Sequence, residues 1–173
     1  ASFIRACKHR PYIVEKMIQL PEFNRRILNH VDENKDTAFL VACKYNIESA
    51  KLIMNSPKCS FVTINYTGQQ AWTPFLYACD TNPALIPEFL KSKYFKSTVG
   101  NYESSYINHQ NIDGLSGLLI LIIRHPRFAH LIIDSQLCNA DTINDADRDG
   151  WTPLMLAIRY QHMNLIKKII NSR

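Results

Sequence analysis

Apolar positions fall into paired clusters that return at a fixed interval along this 173-residue chain. Ala6-Cys7-Lys8, Ala42-Cys43-Lys44 and Ala78-Cys79-Asp80 are spaced by 36, and Ala157 fits after one longer interval. A second series keeps the same rhythm: Leu28-Asn29, Ile64-Asn65, Ile107-Asn108 and Ile143-Asn144 step by 36, 43 and 36. After each alanine-centred stretch comes another apolar group. These groups are Ile13, Val14, Met17 and Ile18; Ala50, Ile53 and Met54; Leu85, Ile86, Phe89 and Leu90; Phe128, Ala129, Ile132 and Ile133; and Leu165, Ile166, Ile169 and Ile170. Spacings of one, four and five put such residues on one helical face. Each unit is therefore expected to be a short helix, a turn, a second amphipathic helix and a polar loop. Pro11, Pro83 and Pro126 stand at the helix–helix turns, where a helix could not continue undisturbed. Pro21 and Pro57 follow the second helices, and a longer piece from Lys91 to Tyr106 accounts for the 43-residue step.

The helix starts share a chemistry. In Asp147-Arg148-Asp149-Gly150-Trp151-Thr152-Pro153-Leu154-Met155-Leu156-Ala157, Gly150 suits a tight turn, Thr152 can cap free backbone N–H groups, and Pro153 suits the first helical position. Trp72-Thr73-Pro74-Phe75-Leu76-Tyr77-Ala78 repeats the start. Gly114-Leu115-Ser116-Gly117-Leu118-Leu119 and Asp36-Thr37-Ala38-Phe39-Leu40-Val41-Ala42 are weaker copies.

These residues resemble the ankyrin repeats, whose unit is a β-turn plus two antiparallel helices of about 33 residues marked by Thr-Pro-Leu-His-x-Ala. Thr152 to Ala157 matches at every marked position but the histidine, and Thr73 to Ala78 matches less well. No copy carries the histidine, which in that family ties neighbouring turns together, so bonding between units is expected to differ. The 36-residue unit predicts a loop about three residues longer than the family's, before the Ile-Asn step. The resemblance implies an all-α ankyrin-repeat solenoid of about five helix-turn-helix units with β-turn or short hairpin tips. Unit boundaries are expected near 1–34, 35–70, 71–113, 114–149 and 150–173 in a single repeat domain. The first unit lacks its turn and the last stops where a loop should begin, the pattern expected of a fragment of a longer protein.

Composition changes this picture little. The formal charge of +5 comes from 20 basic and 15 acidic residues with no long block of one sign, which only weakly favours an acidic partner. The longest apolar run, Leu118 to Ile123, is far short of the roughly 20 residues that span a bilayer, and the N-terminus does not read as a signal peptide. Five cysteines without a disulfide-like spacing point to reduced thiols and an intracellular, cytoplasmic setting. Cys7, Cys43 and Cys79 suit close helix packing at equivalent places. The six histidines make no i, i+4 pair, and no Cys-x-x-Cys completes a zinc site, so neither metal nor cofactor is expected. No phosphate loop or nucleophile motif appears, and no catalytic residue is nominated. Asp145, Asp147 and Asp149 alternate like a calcium loop, but Leu156 stands where the glutamate should be, so they read as turn formers. Lys91, Lys93 and Lys96 interleave with Tyr94 and Phe95 as a nucleic-acid patch can, though a solvated loop anchored by its aromatics is the simpler reading. Tyr94, Phe95, Tyr102 and Tyr106 could offer contact area or fold back over the solenoid.

The resemblance implies surface recognition of another protein by a monomer, with turn tips and first helices lining a concave groove. By register the second unit offers Glu33, Asn34, Asp36, Lys44 and Tyr45, and the third Gln69, Gln70, Trp72, Asp80 and Thr81. The fourth offers Ile112, Asp113, Leu115, Ile123 and Arg124, and the last Arg148, Asp149, Trp151, Arg159 and Tyr160. Trp, Tyr and Arg most often dominate interface energy, which singles out Trp72, Trp151, Tyr45, Tyr160, Arg124 and Arg159. The alternative is a regulatory or targeting domain of a larger multidomain enzyme or pathogen effector, with its active site elsewhere.

Overall fold

A hydroxyl opens four of the first helices, and its geometry is nearly constant. Thr37 Oγ1 accepts from the Leu40 N–H at 3.3 Å, Thr73 from Leu76 at 3.2 Å, Ser116 from Leu119 at 3.4 Å and Thr152 from Met155 at 3.3 Å. Such caps contribute about 1 kcal/mol each by satisfying a donor that the first turn leaves free. The computed structural model describes residues 2–99 and 102–172. Its first helices are α1 (Ser2–His9), α4 (Ala38–Tyr45), α7 (Pro74–Thr81), α9 (Gly117–Arg124) and α12 (Pro153–Arg159). Their partners are α2 (Pro11–Ile18), α5 (Ile47–Met54), α8 (Ile86–Lys91), α10 (Ala129–Ile133) and α13 (Met163–Asn171). The prolines at the helix–helix turns are starts as well as breaks. Pro11 opens α2, while Pro83 and Pro126 open 3-10 turns over 83–85 and 126–128 that feed α8 and α10.

The first helices pack on one another in the order α1, α4, α7, α9, α12, and the second helices back them. Alanine at the contact lets the helices approach, and Ala42, Ala78 and Ala157 are wholly buried with Cys43 and Cys79 beside two of them. Phe39, Phe75 and Phe89 join their rings across the units at 5.4–5.8 Å. The fold is thus the helical-pair solenoid that the register predicts, and its core is one continuous apolar layer.

Two segments differ from the expected loops. The residues before each Ile-Asn step form a third, short helix: α3 (Arg25–Leu28), α6 (Phe61–Asn65) and α11 (Ala140–Asn144), with a 3-10 turn over 106–108 in the remaining unit. Ser60 with Thr63 and Asn139 with Thr142 make capping boxes at two of them. The asparagines of the step then link units, since the Thr63 hydroxyl donates to Asn29 at 2.8 Å and the Thr142 hydroxyl to Asn108 at 2.6 Å. Within Lys91 to Tyr106 the chain forms a hairpin of β1 (Lys96–Val99) and β2 (Tyr102–Ser105), antiparallel with Lys96 opposite Ser105. Phe95 anchors it, fully buried against Phe75 at 4.7 Å and Phe89 at 5.6 Å. Tyr106 meets Phe61 edge-on at 5.4 Å. These two aromatics fold back onto the solenoid, and the side chain of Tyr102 lies outside the described residues.

The last helix pair departs from the rest at both its turn and its outer face. One residue separates α4 from α5, whereas Tyr160, Gln161 and His162 separate α12 from α13, with Gln161 at φ 59° and the His162 N–H donating to the Ala157 carbonyl at 2.9 Å. The stacking positions that each next unit covers elsewhere stand open here. Met155 is 45% exposed where Leu40, Leu76 and Leu119 are 0–1% exposed, and Ile158 is 55% exposed where Ile122 is 0%.

Candidate functional site

Three of the turn tips are each built by one side chain, while the fourth opens on Gly68. Asp32 Oδ1 accepts from the N–H groups of Asn34 and Asp36 at 2.9 Å, Asn111 Oδ1 from Asp113 and Leu115 at 3.0 Å, and Asp147 Oδ1 from Asp149 and Trp151 at 2.9 Å. The Asp145, Asp147, Asp149 alternation is therefore part of a turn. Asp147 is occupied by backbone, Asp145 Oδ1 accepts from Gln110 Nε2 at 2.7 Å, and Asp149 is exposed. Burial pushes the Asp145 carboxyl up despite hydrogen bonds that oppose it. Three residues after each turn-opening position the backbone is left-handed, with φ of 61° at Lys35, 58° at Ala71, 76° at Gly114 and 82° at Gly150.

Without the family histidine, the tips are joined by other donors. The Ile112 N–H donates to the Gln70 carbonyl and the Arg148 N–H to the Asp113 carbonyl, both at 3.0 Å. Gln69 Nε2 reaches the Asn34 carbonyl at 3.0 Å and Gln110 Nε2 the Ala146 carbonyl at 2.8 Å. At the far end of the first helices, Asn82 Nδ2 donates to the Cys43 carbonyl at 2.8 Å, Thr81 Oγ1 donates to Lys44 at 2.9 Å, and the His125 ring bonds the Asp80 carbonyl at 2.7 Å.

From the C-terminal ends of α1 and α4 across α7 to the start of that helix runs a contiguous row of cations and rings. Lys8 Nζ lies 4.3 Å from the centre of the Tyr45 ring, and Lys44 Nζ lies 5.2 Å from Tyr45 and 4.9 Å from Tyr77. Tyr77 stacks on Trp72 at 4.7 Å. Asp80, beyond Tyr77, pairs with Arg124 at 3.2 Å. Burial draws the Lys44 ammonium down, but Tyr45, Tyr77 and Asp36 outweigh it and hold the group above the usual lysine value. Burial, opposed by Lys44, pushes the Tyr77 hydroxyl up. Each cation–π contact at such exposure contributes about 0.5–1 kcal/mol, enough to orient a lysine but not to bury it.

Of the residues nominated by register, this row gathers Lys44, Tyr45, Trp72, Asp80 and Arg124. Trp151 and Arg159 form a separate pair in the last unit, with the guanidinium 4.9 Å over the indole. Tyr160 is exposed beside His162, with their rings 6.2 Å apart. Ile112, Asp113, Arg148 and Asp149 are exposed at the tips, while Leu115 is half-buried against the core. The Gln69 side chain and Gln70 carbonyl are engaged in tying tips together. Both tryptophans are half-buried and pack on the core, so they brace the turns as well as face outward. Register alone does not single out Lys8 or Tyr77. Tyr77 does carry a signal, because a hydroxylated ring stands where the other first helices hold Val41, Ile120 and Leu156.

A solenoid of helix pairs joined at turn tips is the architecture of a repeat protein. The family model described as "Ankyrin repeat" matches residues 149–173, the last tip and its helix pair. The match covers that unit alone; the preceding units share its hydroxyl cap and its stacking, so the fold is a helical-pair solenoid whose last unit is similar to an ankyrin repeat. Ankyrin repeats are in general non-catalytic protein-interaction modules. No curated protein matches the chain. Among the described residues, no helix is long and apolar enough to cross a membrane.

Proposed function

We propose that the chain is a non-catalytic module that binds another protein through its concave face, where the tips meet the first helices. One observation carries this reading: the row from Lys8 through Tyr45, Lys44 and Tyr77 to Trp72 crosses three consecutive units without interruption. Tyr45, 48% exposed, offers a flat ring that already has its orientation fixed by two cations, so little side-chain freedom is lost on docking. Fixed aromatics of this kind are frequent hot spots. The exposed tip residues Arg148 and Asp149 and the Trp151–Arg159 pair extend the same surface into the last unit. The chain acts as a monomer in a reducing, cytoplasmic compartment, a placement supported by five free cysteines, four of them buried.

The test is affinity capture of partners from cell extract with the wild-type chain, Tyr45→Ala, Arg159→Ala and the outer-helix control Lys51→Ala. Loss of the captured partner with Tyr45→Ala or Arg159→Ala, and retention with Lys51→Ala, is the expected result. Capture that is indifferent to both inner substitutions, in proteins with unchanged melting temperature, overturns the assignment.

A further inference from the structure

The charges in the row are unevenly compensated. Arg124 has its carboxylate, Asp80, at 3.2 Å, and Lys168 on the outer layer has Asp134 at 2.8 Å. Lys8 and Lys44 instead lie over ring faces, and no carboxylate among the described residues comes within ion-pair distance of either. A ring quadrupole orients an ammonium group but leaves its unit charge uncancelled. The last unit repeats the arrangement, with Arg159 held over Trp151. Two cations outside any ion pair thus bracket the exposed Tyr45 ring at one end of the face, Lys44 with Asp36 acting on it only at longer range, and a third cation stands at the other end.

We propose that the partner presents an extended acidic segment to this face, its carboxylates meeting Lys8 and Lys44 and its apolar side chains lying on Tyr45 and Tyr77. The proposal rests on the docking face described above. An extended segment fits because the row crosses successive helices instead of following one. A peptide fits better than a nucleic acid, because Asp36 and Asp80 flank Lys44 and Tyr77, and the tips add Glu33, Asp113 and Asp149. A phosphate backbone carries charge at every step and would meet those carboxylates, whereas a peptide can place neutral residues opposite them.

The experiment pans the immobilised full chain against a random-peptide phage library, then measures recovered peptides on wild type, Lys8→Glu/Lys44→Glu and Tyr45→Ala. The melting temperature of each variant serves as the fold control. Recovered peptides are expected to be enriched in Asp and Glu over the input. Their binding should drop about tenfold or more on the double charge reversal and weaken as salt rises. The reversed protein should in turn select Lys- and Arg-rich peptides. Peptides lost with Tyr45→Ala but lacking acidic enrichment overturn the acidic segment and leave the docking face standing. Peptides indifferent to all three substitutions, or recovery of none, overturn both. Tight binding of oligothymidylate that the charge reversal abolishes gives the face to nucleic acid and overturns the peptide class.

Discussion

Gly114 and Gly150 occupy the same place in successive tips, with φ of 76° and 82°, yet alanine should be tolerated very differently at the two. An L side chain in this backbone region costs about 1–2 kcal/mol, and the stiffer unfolded chain returns about 0.5–1. Gly150 adds nothing to that balance, because a Cβ there meets no atom within 4 Å, so Gly150→Ala should cost about 1 kcal/mol. At Gly114 the added carbon would sit 2.7 Å from the Arg148 nitrogen, 2.9 Å from the Asp147 carbonyl carbon and 3.0 Å from its Cα. All three are backbone atoms of the next tip, and the Arg148 N–H is the one that donates to Asp113 at 3.0 Å. Relief of the clash therefore means moving the tips apart, with about 1–3 kcal/mol for overpacking and about 1 for the strained hydrogen bond. Gly114→Ala should cost roughly 3–5 kcal/mol in all. Urea unfolding followed by far-ultraviolet circular dichroism measures both variants. Ala71→Gly, which relieves the same φ where the chain already carries a side chain, should be neutral or up to about 1 kcal/mol stabilising. Equal costs for the two glycine variants, within about 0.5 kcal/mol, would refute the claim that neighbouring tips are pressed together at Gly114.

Three other outcomes are expected. Ile122→Ala should cost about 2–5 kcal/mol and Ile158→Ala, at the same register position but 55% exposed, less than about 1; similar losses in urea titrations would mean that the last unit's stacking face is covered in solution. In a thiol-labelling time course, half-buried Cys138 should react first, because burial lifts Cys7 to about 12, Cys59 to about 11, and Cys43 and Cys79 well above the ordinary thiol value; early labelling of four or five thiols in native buffer would contradict this. Asp145 has its folded pKa raised, chiefly by burial, so the stability it contributes is complete below the unfolded carboxyl value of about 4 and is lost as pH rises through the folded value. Asp145→Asn should accordingly match or exceed wild-type stability at neutral pH and lose any advantage on acidification, and an advantage that grows as pH falls would reverse the sign of the argument.

The features legible in the sequence are those governed by short-range rules. A Thr or Ser before the apolar stretch, a proline or small residue after it, and an Asp or Asn opening the tip each act within four residues, so their pattern survives in a single chain. The third helices were not legible for a physical reason. At four or five residues, α3, α6 and α11 are too short to show a helical period, and two of their capping boxes place threonine where the usual box has glutamate or glutamine. The hairpin does carry a sequence signal, since Gly100-Asn101 follows the β-branched pair Thr98-Val99 and precedes Tyr102. The insertion in the last unit left its mark too, as Ile169 stands 12 residues after Ala157, whereas Met17, Ile53 and Phe89 stand 11 after Ala6, Ala42 and Ala78.

The row of rings and cations is a different case, because its members are not set by register alone. The inward positions are nearly uniform across the units: Leu40, Leu76 and Leu119 are equivalent, and so are Ala42, Ala78 and Ala157. The outward ones vary freely, from Lys44 to Asp80, Ile123 and Arg159, and from Tyr45 to Thr81, Arg124 and Tyr160. Packing restricts the first set to small or apolar residues, while the second meets solvent and is restricted only by what it binds. Register therefore nominates outward positions without ranking them. The ranking came from contacts that only the folded chain supplies, such as Lys44 bridging Tyr45 in its own helix and Tyr77 in the next. The row thus depends on pairings between neighbouring units, and a substitution such as Tyr77→Ile, which restores the aliphatic character of the other units, should keep the fold while removing one face of the Lys44 cradle.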